Sequence, residues 1–393
     1  MGGGITSLRK GAMEITEVKT YLVHPGVGAK NWLFVKLETD AGIHGWGECY
    51  TQADRDRSIE CHIQELGRYL IGRSPFEIKQ FTFQAYTDFA SKRGSMDLYS
   101  AISGLEQAHW DIVGKTLQAP VCYLLGGPCR DRLRMYANGW AHGTGAEVAE
   151  CARRVVHERG FSALKFDPFP GPWREHISRD QEREAVENVR LVREAVGPDV
   201  EILVEVHRRL APVRAIRVAH MMEEYQPYWY EEPVSSRNID ALAEVRRAVM
   251  TPVVTGEELY TKIEFRQVFE KQAADILNPD VCAVGGILEL REIAAMAEPY
   301  LVAVAPHNYN SGSVGLAATL HAAIGMPNFL ITEYFVNFED VSHAISKNPI
   351  VVEGGYARIP DEPGLGVDLD EAVLAQFAYR QPEPRRLPGI ETA

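Results

Sequence analysis

Between residues 131 and 344, short apolar runs alternate regularly with longer stretches that carry apolar residues at helical spacing. This alternation is typical of parallel strands joined by crossover helices. Eight runs match the strand number of a closed barrel, so the predicted fold class is α/β, a (β/α)8-type TIM barrel. A doubly wound open sheet is the alternative, but no GxGxxG motif follows the first run. The predicted strands are Leu133–Ala137, Ala163–Phe166, Ile202–Val206, Tyr228–Tyr230, Pro252–Thr255, Asp275–Leu277, Leu301–Ala305 and Phe329–Thr332, and the helices between them include 180–196, 211–225, 238–250, 261–273, 287–298 and 313–325.

Residues 13–130 follow a different pattern, in which strands come first and helices second. Two segments alternate apolar and polar side chains, as half-buried antiparallel strands do, and Asp40–Gly42 is typical of a hairpin turn. The predicted strands are 14–23 and 31–38, and the predicted helices are 55–71, 76–91 and 98–116. The segment therefore predicts an α+β module that precedes the barrel.

The two ends of the chain carry little apolar periodicity. Residues 345–393 are rich in Pro and Gly and cannot form a core alone, so we expect them to pack back onto the first module. Residues before Met13 lack the apolar stretch of a signal peptide, and we expect a flexible extension there.

The charge balance restricts the choice of partners. The chain has a formal net charge of −13, which disfavours nucleic acid because phosphate backbones repel an acidic surface. No apolar stretch is long enough to span a membrane. The spacing of the six cysteines fits no zinc motif, and we expect reduced thiols in a cytoplasmic protein. A small anionic substrate is compatible with the negative net charge, provided that its binding site supplies local positive charge.

Three glutamates follow consecutive predicted strands at equal intervals. Glu205, Glu231 and Glu257 are separated by 26 residues each, about the length of one strand-helix unit. They should therefore meet at the C-terminal rim of the barrel, where barrel enzymes place their chemistry. Three carboxylates at one rim repel one another unless a cation lies between them, and Mg²⁺ prefers such oxygen ligands. The spacing predicts a magnesium site.

The remaining strand ends supply acid–base groups. Asp280 and His307 end neighbouring strands, and a carboxylate beside an imidazole fixes its tautomer and raises its basicity. Lys165 ends the second strand, where it could face a substrate carboxylate. His207 is either a general acid or a support of the metal ligands, and Arg208 could clamp an anion.

Together these segments resemble the enolase superfamily, in its mandelate racemase branch. The resemblance extends over nearly the whole chain from Met13, and the ordered motifs are ALKFD, VEVH, YEEP, TGEE, NPDV, APHN, ITEY and the tail EGGYARIPDEPGLGV. It implies a capping domain over 13–130, a catalytic barrel over 131–344, and a C-terminal segment over 345–393 that completes the cap.

The resemblance also implies roles for the rim residues. Glu205, Glu231 and Glu257 would bind Mg²⁺, and Asp280 with His307 would form the general-base dyad. Glu333, which ends the last predicted strand, would contact the substrate carboxylate or enolate, and Lys165 would hold that carboxylate. Loops at 24–30 and 49–54 would close over the barrel mouth, and related barrels often form homo-oligomers.

One departure from the branch bears on the reaction. A racemase typically carries Lys-x-Lys on the second strand, but here the sequence is Lys165-Phe166-Asp167. This chain therefore lacks one of the two bases of a racemase. VEVH and KFDPF instead resemble sugar-acid dehydratases of the gluconate and galactonate type. The resemblance implies a hydro-lyase that takes the C2 proton of an aldonic acid, forms an enediolate and expels the 3-hydroxyl to give a 2-keto-3-deoxy acid.

Three alternatives to dehydration differ in what they require. A cycloisomerase of an anhydro or lactone sugar acid would share the enediolate but break a ring bond. A non-catalytic carboxylate-binding protein would not need the pair of Asp280 and His307. A metal-dependent hydrolase usually has histidine ligands, and no HxH motif follows the first barrel strand.

Overall fold

A computed structural model describes residues 13–28, 30–52, 54–89, 94–169, 177–309 and 311–383. The predicted flexible extension before Met13 lies outside these residues. Within them, no helix is both long and apolar enough to cross a membrane.

The N-terminal module is a three-stranded antiparallel meander covered by helices, as the strand-then-helix pattern predicts. Its strands are β1 (Ile15–Val23), β2 (Trp32–Thr39) and β3 (His44–Cys49), and its helices are α1 (Asp56–Gly67), α2 (Ile78–Gln84), α3 (Met96–Leu117) and α4 (Val121–Leu124). A π-helical turn at Ala85–Phe89 follows α2, and the rest of the predicted 76–91 helix lies outside the described residues.

Helix α3 packs on β3 at van der Waals contact because both elements carry glycine there. A Cβ atom on Gly47 would lie 1.8 Å from the carbonyl oxygen of Gly104. The helix backbone could not approach the strand this closely with larger residues. This contact brings α3 and β3 together as one rigid unit above the barrel.

Eight parallel strands form the predicted barrel. Strands β4 to β10 pair in chain order, and β11 pairs with β4. Pairing of Val304 with Phe329 joins β10 to the segment that leads into β11 and closes the ring. The strands are β4 (Leu133–Asn138), β5 (Ala163–Phe166), β6 (Glu201–Glu205), β7 (Trp229–Glu231), β8 (Val253–Thr255), β9 (Ile276–Leu277), β10 (Ala303–Val304) and β11 (Thr332–Phe335).

The crossover helices begin and end close to the predicted residues. Helix α6 shows why: Ser178 caps its N-terminus in a capping box with Gln181, and Ala185, Val189 and Val192 form its buried stripe. The helices are α5 (Ala146–Arg159), α6 (Arg179–Val196), α7 (Pro212–Met222), α8 (Ile239–Ala248), α9 (Thr261–Lys271), α10 (Ile287–Ala297), α11 (Ser313–Ala323) and α12 (Glu339–Ile345).

The position of the last barrel strand differs from the prediction. The apolar run Phe329–Thr332 was expected to be the strand, but β11 begins only at Thr332. Its partner decides the register, because Thr332 pairs with Met135 and Phe335 with Asn138. Glu333 is therefore the second residue of the strand rather than its end.

The C-terminal segment packs against both parts of the molecule. Its hairpin, β12 (Val352–Glu353) and β13 (Tyr356–Ala357), extends the sheet beside β4. Further on, Asp368 accepts a hydrogen bond from the Trp46 indole at 2.7 Å, and α13 (Glu371–Leu374) follows. The expected return of the tail to the cap is thus observed, whereas the division of the chain after residues 130 and 344 stays a prediction.

Two buried carboxylates of the cap hold the N-termini of two barrel helices. Glu106 on α3 accepts hydrogen bonds from the amides of Ile287 and Leu288 at 2.7 and 3.0 Å, at the start of α10. Glu48 on β3 does the same at the start of α11. The first amides of a helix have no partner inside the helix and carry partial positive charge, so these carboxylates join the cap to the barrel.

We expect Glu106→Ala to lower the free energy of unfolding by about 1–3 kcal/mol, because two buried amides lose their acceptor. Urea titration followed by circular dichroism would measure the change. The matched control is Glu194→Ala, which removes an exposed carboxylate from α6 and should change stability by less than about 0.5 kcal/mol. Equal stability of the two variants would contradict this role of Glu106.

Candidate active site

The predicted rim residues meet at the C-terminal end of the barrel. Glu205 and Glu231 are the last residues of β6 and β7 and pair directly across the sheet. Glu257 follows β8 by two residues. Asp280 and His307 follow β9 and β10 and form an isolated parallel bridge. All five lie at the same edge of the barrel, because each unit of strand and helix returns the chain to that edge, and their functional roles stay predictions.

Carboxylates outnumber cations at this rim. Five of them have side chains at most 8% exposed, and among the described residues Lys165 and Arg208 are the permanently charged cations that form ion pairs with them. Burying so many like charges is costly without a further cation. These five are Glu205, Glu231, Glu257, Asp280 and Glu333.

The oxygen atoms of the rim fit a hard divalent cation. Glu205 Oε2 and Glu231 Oε2 are buried and accept no hydrogen bond from the described residues. Among those residues, one ligand atom each of Glu231, Glu257 and His307 lies within 4.8 Å of the others. Glu205 adjoins this group through its pairing with Glu231. Whether the third carboxylate ligand is Glu205, as the sequence suggests, stays a prediction.

The glutamates of this cluster have shifted pKa values. Burial and the nearby charge of Glu257 raise the pKa of Glu205 to about 7. Burial and the charge of Glu205 raise the pKa of Glu231 well above its usual value. For Glu257, burial acts upward, but Arg208 and His307 hold its pKa well below the usual value. A cation bound by these glutamates would have to displace protons from Glu205 and Glu231.

Lys165 lies between the predicted metal ligands and Glu333. Its Nζ is 2.9 Å from Glu231 Oε1, 2.9 Å from Glu333 Oε1 and 3.8 Å from Glu205 Oε2. Burial works to lower the pKa of Lys165, but Glu231 and Glu333 raise it well above its usual value. Lys165 is therefore a fixed positive charge.

Glu333 is held as a carboxylate from three sides. Besides Lys165, it accepts hydrogen bonds from Asn138 Nδ2 at 2.8 Å and from the Asn308 amide at 3.1 Å. Burial acts to raise its pKa, but Lys165 and His307 keep the pKa below the usual value. Asn138 was not predicted as a site residue, although it ends the first barrel strand and the same rim rule applies to it.

The dyad has the geometry of an oriented base. His307 Nδ1 is 2.8 Å from Asp280 Oδ2, and its Nε2 is 3.0 Å from Glu257 Oε2 and 3.4 Å from Glu333 Oε2. Burial works to lower the pKa of His307, but Glu333, Glu257 and the bond to Asp280 raise it well above the usual value. Nε2 is thus the nitrogen that faces the carboxylate cluster.

His207 reaches the same cavity through an irregular turn. The alternation of side chains ends at Glu205, because His207 and Arg208 both have positive φ, at 52° and 62°. The His207 amide donates to Glu205 Oε1 at 2.6 Å, and its Nδ1 is 2.8 Å from Asp167 Oδ2. Residues other than glycine are strained in the left-handed region of backbone conformation, and such residues cluster at functional sites.

Arg208 contacts protein carboxylates. Its guanidinium forms ion pairs with Glu257 and with Glu258, the latter at 3.0 Å, and lies 3.9 Å from Glu232. The sequence suggested that Arg208 clamps a substrate anion. In the structure its side chain reaches the glutamates that follow β7 and β8, and it also lines the cavity, so contact with a substrate anion stays a prediction.

A cavity of about 960 Å³ opens above these groups. Lys165, Glu205, His207, Arg208, Glu257 and His307 line it. The cap contributes Lys30 and Tyr50, and the loop after His307 contributes Tyr309. Lys30 Nζ is 3.3 Å from the centroid of the Tyr309 ring. The loops at 24–30 and 49–54 were expected over the barrel mouth, but Tyr50 and Tyr309 have no local sequence signature that would identify them as cavity residues.

Two family models match the chain. "Mandelate racemase / muconate lactonizing enzyme, N-terminal domain" matches residues 15–126, and "Enolase C-terminal domain-like" matches residues 147–373. The chain belongs to the mandelate racemase branch of the enolase superfamily. The predicted family is confirmed, and members of this superfamily typically bind a divalent metal.

Curated relatives and solved structures agree with this family. D-galactonate dehydratases from Ralstonia pickettii (strain 12J) and Klebsiella pneumoniae (strain 342) are each 35% identical over 379 residues, which cover 95% of this chain and 96% of theirs. A mandelate racemase/muconate lactonizing enzyme-like protein from Roseovarius sp. TM1035 has a TM-score of 0.88 at 38% identity and covers 95% of this chain and 99% of its own. These relatives support the prediction of a hydro-lyase of the enolase superfamily.

We expect Mg²⁺ to bind this enolase-superfamily protein more weakly as the pH falls below about 7, because protons on Glu205 and Glu231 then compete with the ion. Isothermal titration calorimetry at several pH values would measure the affinity. Repeating the titration in buffers of different ionisation enthalpy would count the protons released. An affinity that does not change between pH 6 and pH 8 would contradict proton competition at this site.

The matched variants for this titration are Glu231→Gln and Glu270→Gln. The first should lose Mg²⁺ binding and keep its circular dichroism spectrum, because the amide removes one of the oxygen charges that a hard cation requires. The second changes an exposed glutamate on α9 and should bind like the wild type.

Proposed function

We propose that the protein is a Mg²⁺-dependent dehydratase of an aldonic acid. The observation that carries the proposal is a pair of imidazoles that line one cavity, each with its Nδ1 against its own carboxylate. His307 pairs with Asp280, and His207 pairs with Asp167. An elimination needs one group to take a proton and another to give one. The relatives named D-galactonate dehydratase support the same reaction class.

Glu205, Glu231 and Glu257 would hold Mg²⁺, and the buried oxygens without hydrogen-bond donors support this assignment. When bound, Mg²⁺ supplies positive charge that stabilises an enediolate. Lys165 Nζ adds a second fixed positive charge beside the same oxygens. Together they would lower the barrier to removing a weakly acidic C2 proton.

His307 would take the C2 proton at Nε2, the nitrogen that faces the cluster. Asp280 fixes the ring through Nδ1 and stabilises the imidazolium that forms. The negative charges of Glu333 and Glu257 raise the pKa of His307. A cation bound by Glu257 would weaken this effect, so a larger fraction of His307 would be neutral and able to accept a proton.

His207 would protonate the 3-hydroxyl as it leaves. The C3–O bond breaks with the electron pair going to oxygen, the proton from His207 completes the water molecule, and the enol tautomerises to a 2-keto-3-deoxy acid. Asp167 Oδ2 also forms an ion pair with Arg209, so the carboxylate that contacts His207 Nδ1 is itself held in place. Hydroxide is a poor leaving group, so a general acid that protonates it would increase the rate of elimination.

The proposed substrate is therefore a small anionic sugar acid. A cytoplasmic location is supported by the absence of any disulfide, since all six cysteines are free thiols. The homo-oligomeric state that the family resemblance implies stays a prediction.

His307→Asn should abolish both dehydration and exchange of the C2 proton with solvent, a loss of at least about 10²–10⁴-fold. Proton NMR in deuterated water, with a panel of aldonic acids and Mg²⁺, would follow both. His157→Asn, an exposed histidine on α5, is the control and should behave like the wild type. Exchange at the wild-type rate in His307→Asn would move the base elsewhere, with Lys165 the next residue to test.

His207→Asn separates the acid from the base. It should retain deuterium incorporation at C2 while the rate of dehydration falls by about 10²–10⁴-fold. His220→Asn, an exposed histidine on α7, should leave both rates unchanged. If exchange and dehydration disappear together, His207 instead supports the metal ligands. If the wild type opens a ring without losing water, the enzyme is a cycloisomerase that forms the same enediolate.

A further inference from the structure

We propose that Glu48, a residue of the capping domain, is a positioning residue for the catalytic dyad. It holds the loop that carries His307 in register with the loop that carries Asp280. This inference rests on the proposed role of the dyad as the base. It assigns to the cap a part in proton abstraction that is separate from the closure of loops over the substrate.

The barrel sheet alone gives these two loops little support. Strands β9 and β10, which lead into Asp280 and His307, contain only two residues each. Beyond them, the backbone pairing continues only as one bridge between the two dyad residues, among the residues that the structure describes. On the metal side, β6, β7 and β8 contain five, three and three residues, so the dyad side has the shorter strands and gains more from support outside the sheet.

Glu48 supplies that support to the His307 loop. Its Oε1 accepts a hydrogen bond from the Gly312 amide at 2.7 Å, and its Oε2 accepts one from the Gly315 amide at 2.7 Å. The side chain is buried at the N-terminus of α11, where the partial positive charge of the helix favours an acceptor. Burial raises the pKa of Glu48 to about 8, while the hydrogen bonds from Gly312 and Gly315 act to lower it. The carboxylate thus fixes the end of the loop that begins at His307.

The same strand end also holds the Asp280 loop. The side chain of Gln107 bonds to both main-chain groups of Glu48, and its Nε2 donates to the Val281 carbonyl at 3.2 Å. Two residues on, the Tyr50 amide donates to the Cys282 carbonyl at 3.0 Å. The cap therefore contacts both loops from a segment of three residues.

Bonds between the loops transmit this placement to the reacting atoms. Asp280 Oδ1 accepts from the Cys282 amide at 2.8 Å, and Oδ2 accepts from the Tyr309 amide at 3.2 Å as well as facing His307 Nδ1. Tyr50 and Tyr309 pack with ring centroids 5.7 Å apart beside the imidazole. A shift of either loop would change the direction of His307 Nε2.

The test compares Glu48→Ala with Asp111→Ala. Both remove a buried cap carboxylate that accepts hydrogen bonds from two backbone amides, but the amides that Asp111 holds are those of Trp46 and Leu365, outside both dyad loops. Crystal structures of the two variants need no substrate. We expect the distance from His307 Nδ1 to Asp280 Oδ2 to lengthen beyond hydrogen-bond range in Glu48→Ala and to stay near 2.8 Å in Asp111→Ala. An intact dyad in Glu48→Ala would overturn the proposal, whatever the substrate is.

Kinetics supply the second measurement. On a substrate that the wild type exchanges, Glu48→Ala should lower kcat for C2 exchange by about 10²-fold with KM and Mg²⁺ affinity little changed, because misplacement of about 1 Å has that effect. Glu48→Gln, which keeps one acceptor, should recover part of kcat. Equal losses in Glu48→Ala and Asp111→Ala would reduce Glu48 to a stability role. Absence of exchange by the wild type would refute the proposed function instead and leave the crystallographic result decisive for Glu48.

Discussion

The ion pairs of Lys165 with Glu231 and Glu333 hold the rim together. Without that ammonium group, the carboxylates of Glu205, Glu231 and Glu333 would face one another in a buried space. Lys165 cannot balance all of them, and Arg208 adds only one more permanent charge. The barrel thus concentrates more negative charge than its own cations neutralise, which is the condition for holding a divalent ion where substrate oxygens can also reach it.

This charge imbalance divides the rim into two parts. On the metal side, burial raises the pKa values of Glu205 and Glu231, and the charges of Glu257 and Glu205, respectively, raise them further. On the dyad side, Glu257 is held ionised and the pKa of His307 is raised. Groups whose environments push their pKa values apart are suited to acid–base chemistry, because they are protonated to different extents at the same pH. Glu257 contacts both sides and couples them.

The rim could be predicted from sequence because it follows from local rules. A repeat of 26 residues and an apolar run before each glutamate locate three carboxylates at one edge. The start of β11 could not be predicted, because its register is set by pairing with β4 across nearly 200 positions of chain. The partners of Arg208 and Glu48 were missed for the same reason. A left-handed turn and contacts between the cap and the barrel have no periodic pattern to reveal them.

The second barrel strand shows how a small change can alter the reaction on this fold. Lys165 and Asp167 lie two positions apart and so project to the same side of the chain. In a racemase of this branch a second lysine, a base, would occupy the later position. Here Asp167 binds His207 and Arg209 instead. In the proposed reaction this carboxylate supports an acid, so the site keeps one base, gains a proton donor and favours elimination over racemisation.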